Sequence, residues 1–225
     1  MLSFLTNFGY SSLLEPFLFL KSNEPNLYPS FQNTYLNSQE WWRLITPTFL
    51  HFSLTHLIFN CLWIYILGSK IEIIDGKGVF LTLFLISGLS SNLGQYFLTG
   101  DYLFGGLSGA VYGLLGYCFI LDLDNRGQRY DLPNALYIFM FIWLLIGFTG
   151  VLNLFGFGNV ANIAHLVGMI AGFILGTHKH TAREIGDENR QLLKKFNHII
   201  IACHNSKVYA VKKLLEMTNQ IDLII

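Results

Sequence analysis

The sequence predicts an all-α protein, a polytopic bundle of helices in a membrane. Three observations carry that class. Only 12% of the 225 residues are charged and 52% are apolar, whereas soluble domains are roughly a quarter charged. The mean hydropathy is +0.46. The charges gather in short clusters and in the C-terminal tail, leaving long uncharged runs, and a membrane span needs roughly 20 predominantly apolar residues. Lysine plus arginine balance aspartate plus glutamate at 14 each, which argues against nucleic acid as a partner.

Taken in order, residues 1–20 are apolar but interrupted by Asn7, Glu15 and Pro16. They make a poor spanning helix. They also make a poor signal peptide, because no basic residue precedes the apolar part. Residues 21–48 form a polar, aromatic, proline-bearing connector that ends in Glu40-Trp41-Trp42-Arg43. Tryptophans beside an arginine suit the membrane interface.

Five clear spans follow, at residues 49–68, 78–98, 103–121, 133–150 and 159–177. Charged loops at Lys70–Lys77 and at 122–131 separate the first from the second and the third from the fourth. Residues 99–102 are read as a tight turn, 151–158 as an uncharged loop, and Pro133 as a first-turn proline. This divides the chain into 1–48, a partial or irregular first helix with its connector; 49–177, the membrane core; and 178–225, a polar helical tail. Within the tail, 197–225 weakly resembles the helix pair of an ankyrin repeat; a lone repeat cannot bury its apolar face.

Twelve of the fourteen Lys+Arg residues lie in the two charged loops and the tail. The positive-inside rule therefore puts those segments in the cytoplasm and the connector outside. Ser108, His56, Asn60 and His165 then lie at similar depth in the outer halves of their spans, counting 1.5 Å per residue.

These residues carry the candidate chemistry. Ser108 sits in Gly105-Gly-Leu-Ser-Gly109, where Gly105 and Gly106 free the backbone ahead of a helix. A serine in an apolar helix is ordinarily bland, its hydroxyl bonding a carbonyl one turn back. Its possible partners raise the stakes. His56 and Asn60 are spaced i, i+4 and share a face; packing by interhelical hydrogen bonds is the plainer reading of that pair. His51 lies five residues earlier, and a structural role suits it better. Gly105, Gly109 and Gly113 on one segment and Gly168, Gly172 and Gly176 on another form small-residue seams that let two helices approach closely. They would press Ser108 against His165, the contact that base-assisted nucleophilic attack requires.

No Asp or Glu lies within the five spans, so a Ser-His dyad is expected rather than a triad. Tyr112 and Asn162 are the neutral residues placed to orient the imidazole. His56, Asn60 and the Ser108 backbone N–H are candidate oxyanion donors. No zinc site is expected: His51, His56 and His165 lack a completing carboxylate or cysteine, and no His-Glu-x-x-His occurs. No cofactor is called for. Cys61, Cys118 and Cys203 suggest no disulfide framework.

Four motifs, Trp42-Arg43, His51-Phe-Ser-Leu-Thr-His56-Leu-Ile-Phe-Asn60, Gly106-Leu-Ser108-Gly-Ala-Val-Tyr112-Gly and Ala161-Asn162-Ile-Ala-His165-Leu-Val-Gly168, resemble in order and spacing those of the rhomboid family of intramembrane serine proteases, in its bacterial form. The resemblance implies Ser108 as nucleophile and His165 as general base. It implies an oxyanion hole of His56, Asn60 and the Ser108 amide, Tyr112 stacked on His165, and Asn162, Gly106 and His51 in support. The connector at Trp42-Arg43 would be a structural element partly in the membrane. The span 133–150 and the loop after it would be substrate gate and cap. Substrates would be transmembrane proteins cut near their outer ends, in a bacterial inner membrane, with the tail cytoplasmic. The family's core has six spans, so residues 1–6 are expected to be the end of one more. The competing reading is a catalytically silent relative that binds membrane proteins; a small transporter is disfavoured because no inverted repeat is apparent.

Overall fold

The computed structural model describes residues 7–9, 12–22, 28–123, 129–155 and 160–221. Two compact units result, Met1–His178 and Lys179–Ile225. The described residues are helical or irregular, with no strand among them. Among the described residues there are five α-helices: α1 Leu54–Asp75, α2 Lys77–Thr99, α3 Ser108–Asp122, α4 Asn134–Gly147 and α5 Asn162–Ile221. Residues of α5 up to His178 belong to the first unit.

The segment before α1 is built from short turns. Residues 1–6, expected to end a further span, lie outside the described residues. Ser12–Phe17 is a 3₁₀ turn with Pro16 inside it. Gln32–Asn37 is a π turn, and Trp41–Leu44 and Thr46–Phe49 are 3₁₀ turns. Arg43 holds these pieces together. It is 2% exposed. Its Nη1 donates to the carbonyls of Glu15 (2.5 Å) and Leu18 (3.2 Å), its Nη2 pairs with the Glu15 carboxylate at 3.2 Å, and its Nε donates to Glu40 Oε2 at 2.5 Å. A guanidinium offers five donors in a fixed fork, and here they bind two backbone carbonyls and two carboxylates. Trp41 and Trp42 are about half exposed.

Helix α1 starts at Ser53, whose side chain accepts from the His56 N–H, the usual job of an N-cap serine. The helix does not stop at Gly68. It runs on through Lys70 and Glu72 to Asp75, and only Gly76, at φ +94°, separates it from α2. The charged stretch read as a loop is therefore the polar end of a helix. Charged side chains at a helix end can reach outward from the apolar face, so charge alone does not terminate a span.

The third expected span is shorter than 103–121. Helix α3 begins only at Ser108, because the chain ahead of it is turned at Gly106, at φ +131°. Pro133 is the residue before α4 (φ −60°, ψ 137°) and not its first turn. Helices α1 and α2 are long and apolar enough to cross a membrane; α3 and α4, at 15 and 14 residues, are shorter apolar helices. Five spans of full bilayer length are thus not what these helices present. The second unit is helical to Ile221, with no break where an ankyrin-like pair would turn. Cys61 and Cys118 are free thiols; the side chain of Cys203 lies outside the described residues.

The core sits between α1, α2 and α3, which pack closely, with Leu67, Ile71, Leu114, Leu115 and Leu121 fully buried. Helix α5 comes against α3 along glycines. A Cβ at Gly168 would collide with the Gly109 carbonyl oxygen, and one at Gly172 with that of Gly113. Gly105 takes no part in this seam: it lies before α3, packed on Leu50. Gly109 and Gly113 also receive Ser91 and Ser87 of α2, so three helices meet at these glycines.

Candidate active site

Ser108 is the first residue of α3, and its backbone N–H is one of the amides that no earlier helical carbonyl satisfies. The turn ahead of it is pinned by the Gly106 N–H, which donates to the Pro47 carbonyl at 3.0 Å. Gly106 has no space for a side chain: a Cβ there would sit 2.8 Å from the His56 ring.

Across the glycine seam, Ser108 Oγ lies 2.7 Å from His165 Nε2. His165 is 4% exposed. The Tyr112 ring stacks on its imidazole, centroids 4.8 Å apart and planes at 29°. The Tyr112 hydroxyl donates to the Met140 carbonyl of α4 at 3.1 Å. The start of α5 is set by a residue that the sequence analysis passed over. Gln95 of α2 accepts from the Ala164 N–H at 3.0 Å and donates to Thr99 at 3.3 Å. A glutamine in an apolar run, one residue after the Gly94 that abuts Val167, was the available signal.

His56 and Asn60 are both buried in the first turns of α1. Asn60 Nδ2 donates to His51 Nε2 at 3.0 Å, and the Leu107 N–H approaches the same nitrogen at 3.4 Å. His51 also hydrogen-bonds the Phe49 backbone, which leaves Nε2 as the acceptor. His51 is therefore the peg on which Asn60 and the turn before Ser108 both hang. Its ring meets that of His56 edge-on at 5.1 Å.

Asn162 does not reach the imidazole. Its Nδ2 donates to the Gly147 carbonyl at the end of α4, at 2.8 Å. Spacing of three residues puts Asn162 and His165 on one helix face, but at the first turn the neighbour available to Asn162 is α4.

His56, Asn60, Ser108, Tyr112 and His165 line one cavity of about 20 Å³, together with Phe59, Trp63, Met140, Trp143, Leu152 and Val160. That volume holds about one water molecule. Among the described residues no three His, Cys, Asp or Glu side chains form a metal-binding group.

Residues 38–181 match the Rhomboid domain. The chain belongs to the rhomboid family. It is similar to the rhomboid protease GlpG of Pectobacterium atrosepticum, 37% identical over 134 residues that make up 60% of this chain and 47% of the relative. It is also similar to the rhomboid proteases GlpG of Serratia proteamaculans and Yersinia enterocolitica, each 36% identical over 148 residues, 66% of this chain and 50% of the relative. The chain spans about half the length of the curated relatives it matches. The rhomboid match takes in Arg43, every helix from α1 to α4, and α5 past His165, so all the residues of the cavity lie within it.

Proposed function

We propose that this rhomboid chain is an intramembrane serine endopeptidase that hydrolyses peptide bonds in or near the transmembrane segments of other proteins through the Ser108–His165 dyad. The observation that carries the reading is the 2.7 Å contact between Ser108 Oγ and His165 Nε2. In this reaction His165 Nε2 takes the hydroxyl proton as Oγ attacks the scissile carbonyl carbon. The carbonyl oxygen becomes an anion facing the Ser108 N–H, His56 and Asn60. The imidazolium then protonates the leaving amine, and water, deprotonated by the same nitrogen, releases the acyl group from Ser108. No buried carboxylate is needed, because Tyr112 keeps the imidazole in its plane. Gly106 and His51 support the oxyanion side, and Asn162 at the start of α5 supports the site by holding the end of α4. No metal or cofactor takes part.

The same reading puts the core in a bacterial inner membrane with its tail in the cytoplasm and five segments crossing. A 15-residue α3 is about 22 Å long at 1.5 Å per residue, shorter than a hydrocarbon core of about 30 Å. Its N-terminus therefore starts below the outer surface. Helix α4 and the turn after it are the gate and cap through which a transmembrane substrate enters. The test is cleavage of a reporter carrying a transmembrane segment, with labelling by a fluorophosphonate. Wild-type protein should cleave and label, and Ser108→Ala should do neither. Full cleavage by Ser108→Ala overturns the reading; folded wild type that neither cleaves nor labels favours a silent binder of membrane proteins.

A further inference from the structure

A larger cavity opens beside the dyad. Its volume is about 280 Å³, against about 20 Å³ for the cavity at Ser108, and it is lined by Gln95, Asp101, Leu103, Phe104, Val160 and Ala161. The two cavities share Val160. Phe104 and Ala161 also border a small void of about 10 Å³ that reaches Ser108. An extended chain advances about 3.3 Å per residue. A peptide held at Ser108 and running past Val160 therefore lays its next side chains over the larger cavity.

Asp101 is the charged residue of that lining, and no basic residue belongs to it. Its place is fixed by a short relay. Gly100, at φ +77°, ends α2 and turns the chain into the rim of the cavity. The Thr99 hydroxyl donates to the Gln95 carbonyl at 2.7 Å, and it accepts from Gln95 Nε2 at 3.3 Å and from the Asp101 N–H at 3.1 Å. Gln95 Oε1 takes the N–H of Ala164, the residue before the base, at 3.0 Å. The backbone that carries Asp101 and the backbone that carries His165 are thus tied to one glutamine. The Gln95 amide is engaged by these neighbours. The Asp101 side chain is exposed, and among the described residues no donor is bonded to its carboxylate.

The rest of the lining is largely apolar: Leu103, Phe104, Val160 and Ala161. A lysine or arginine side chain suits both features. Its methylene stem covers apolar surface while its charged end stays at the rim, where the carboxylate is. An acidic side chain in the same place meets a like charge, which is how a site rejects the wrong partner.

We propose that Asp101 is a specificity-determining residue, and that this cavity takes a lysine or arginine side chain of the substrate on the flank of the cleaved bond that runs past Val160. The inference rests on the protease reading. Basic residues are the less common charge on the outer flanks of transmembrane segments, so the preference narrows the set of proteins that are cut.

The test uses the full chain in lipid nanodiscs. The reporters share one transmembrane segment and differ by a single Lys, Gln or Glu, placed in turn at successive positions through its outer end. The cut bond is located by mass spectrometry. On one flank of it, kcat/KM for Lys should exceed that for Glu by about fivefold, the upper range for an exposed ion pair. The ratio should shrink in molar salt, which screens exposed charges. In Asp101→Asn it should fall to near unity, and in Asp101→Lys it should invert. A purely structural role for Asp101 lowers all reporters together and leaves the ratio alone. Equal rates for Lys and Glu at every position, or a preference that survives in Asp101→Asn, overturn the proposal and leave the protease reading standing. Binding of the same reporters to Ser108→Ala, with and without Asp101→Asn, is read by fluorescence anisotropy. Where wild type cuts no reporter, tighter binding of a Lys reporter that Asp101→Asn removes upholds the cavity's selectivity and removes the protease reading; no such preference in binding overturns both.

Discussion

Gly168 faces Gly109 across the α3–α5 contact with no room for a methyl group, since a Cβ at Gly168 would overlap the Gly109 carbonyl oxygen. The obstacle is backbone, which cannot swing aside as the end of a flexible side chain can. Gly168→Ala should therefore push the helices apart, at a cost of about 1–3 kcal/mol for overpacking. Because Ser108 and His165 stand on the two separated helices, their 2.7 Å contact opens as well. Both the melting temperature and the fluorophosphonate labelling rate should fall. Gly186→Ala is the control: its nearest foreign atom is the end of the Arg190 side chain at 4.0 Å, and helix propensity favours alanine by about 1 kcal/mol. It should label at the wild-type rate.

His51 should matter to turnover although it sits behind the residues that face the cavity. It accepts from Asn60 and approaches the Leu107 N–H, so its loss frees the two groups that flank the oxyanion position. Removing one preorganised oxyanion donor typically costs about 10²–10³ in kcat. Asn60→Ala and His51→Ala should each lower kcat to that degree and leave KM for a transmembrane reporter little changed. A rise in KM with kcat intact would place both residues in substrate binding instead.

The serine–histidine pairing was legible because glycines at four-residue spacing announce a close helix contact, and Ser108 and His165 stand beside those glycines. The length of α3 was not legible. Residues 103–107 are as apolar as a helix interior, and nothing in their composition reports the positive φ of Gly106. Helix α1 was cut short for the opposite reason: Lys70, Glu72 and Asp75 read as a loop, but a helix carries charges on its last turns without ending. Asn162 was placed on the correct face and given the wrong neighbour, since periodicity says which side a residue occupies and not which helix lies there. Gln95 and Asp75 make bonds to residues 69 and 54 positions away, a separation that no local pattern records.

Asp75 anchors the end of the fold away from the dyad. Its side chain is 1% exposed and takes Arg129, the Tyr130 hydroxyl and, at 3.4 Å, the Tyr117 hydroxyl. Burial first, and then the bond to this carboxylate, push the Tyr130 phenol above its ordinary range, so it remains a donor. Asp75→Ala leaves a partly buried cation and two hydroxyls without their acceptor. Breaking a buried pair in this way costs about 3–5 kcal/mol. The melting temperature should drop sharply. Asn60 and Asp75 are fifteen residues apart on one helix, about 22 Å at 1.5 Å per residue, so the labelling rate per folded molecule should stay near wild type. A loss of labelling larger than the loss of folded protein would mean that the two ends communicate.

The Arg43 cluster sets an acid limit on the connector. Burial alone would raise the Glu40 carboxyl, but the hydrogen bond and charge of Arg43, with Lys21 beside it, outweigh burial and hold it below the usual value of 4.5. A carboxyl with a folded pKa below its unfolded one binds fewer protons in the folded state. Its contribution is fully present above about pH 4.5, the ordinary value, and is lost as pH falls through the lowered folded value. Between those limits the connector should loosen while the dyad side of the fold, which among the described residues has no buried carboxylate facing it, persists. Limited proteolysis of residues 21–48 should accelerate as pH drops below that value. Glu40→Gln keeps a hydrogen-bond acceptor for Arg43 and removes the titration, so its cleavage rate should be higher at neutral pH and flatter on acidification. The same steep acid dependence in Glu40→Gln as in wild type would assign the acid limit to another group.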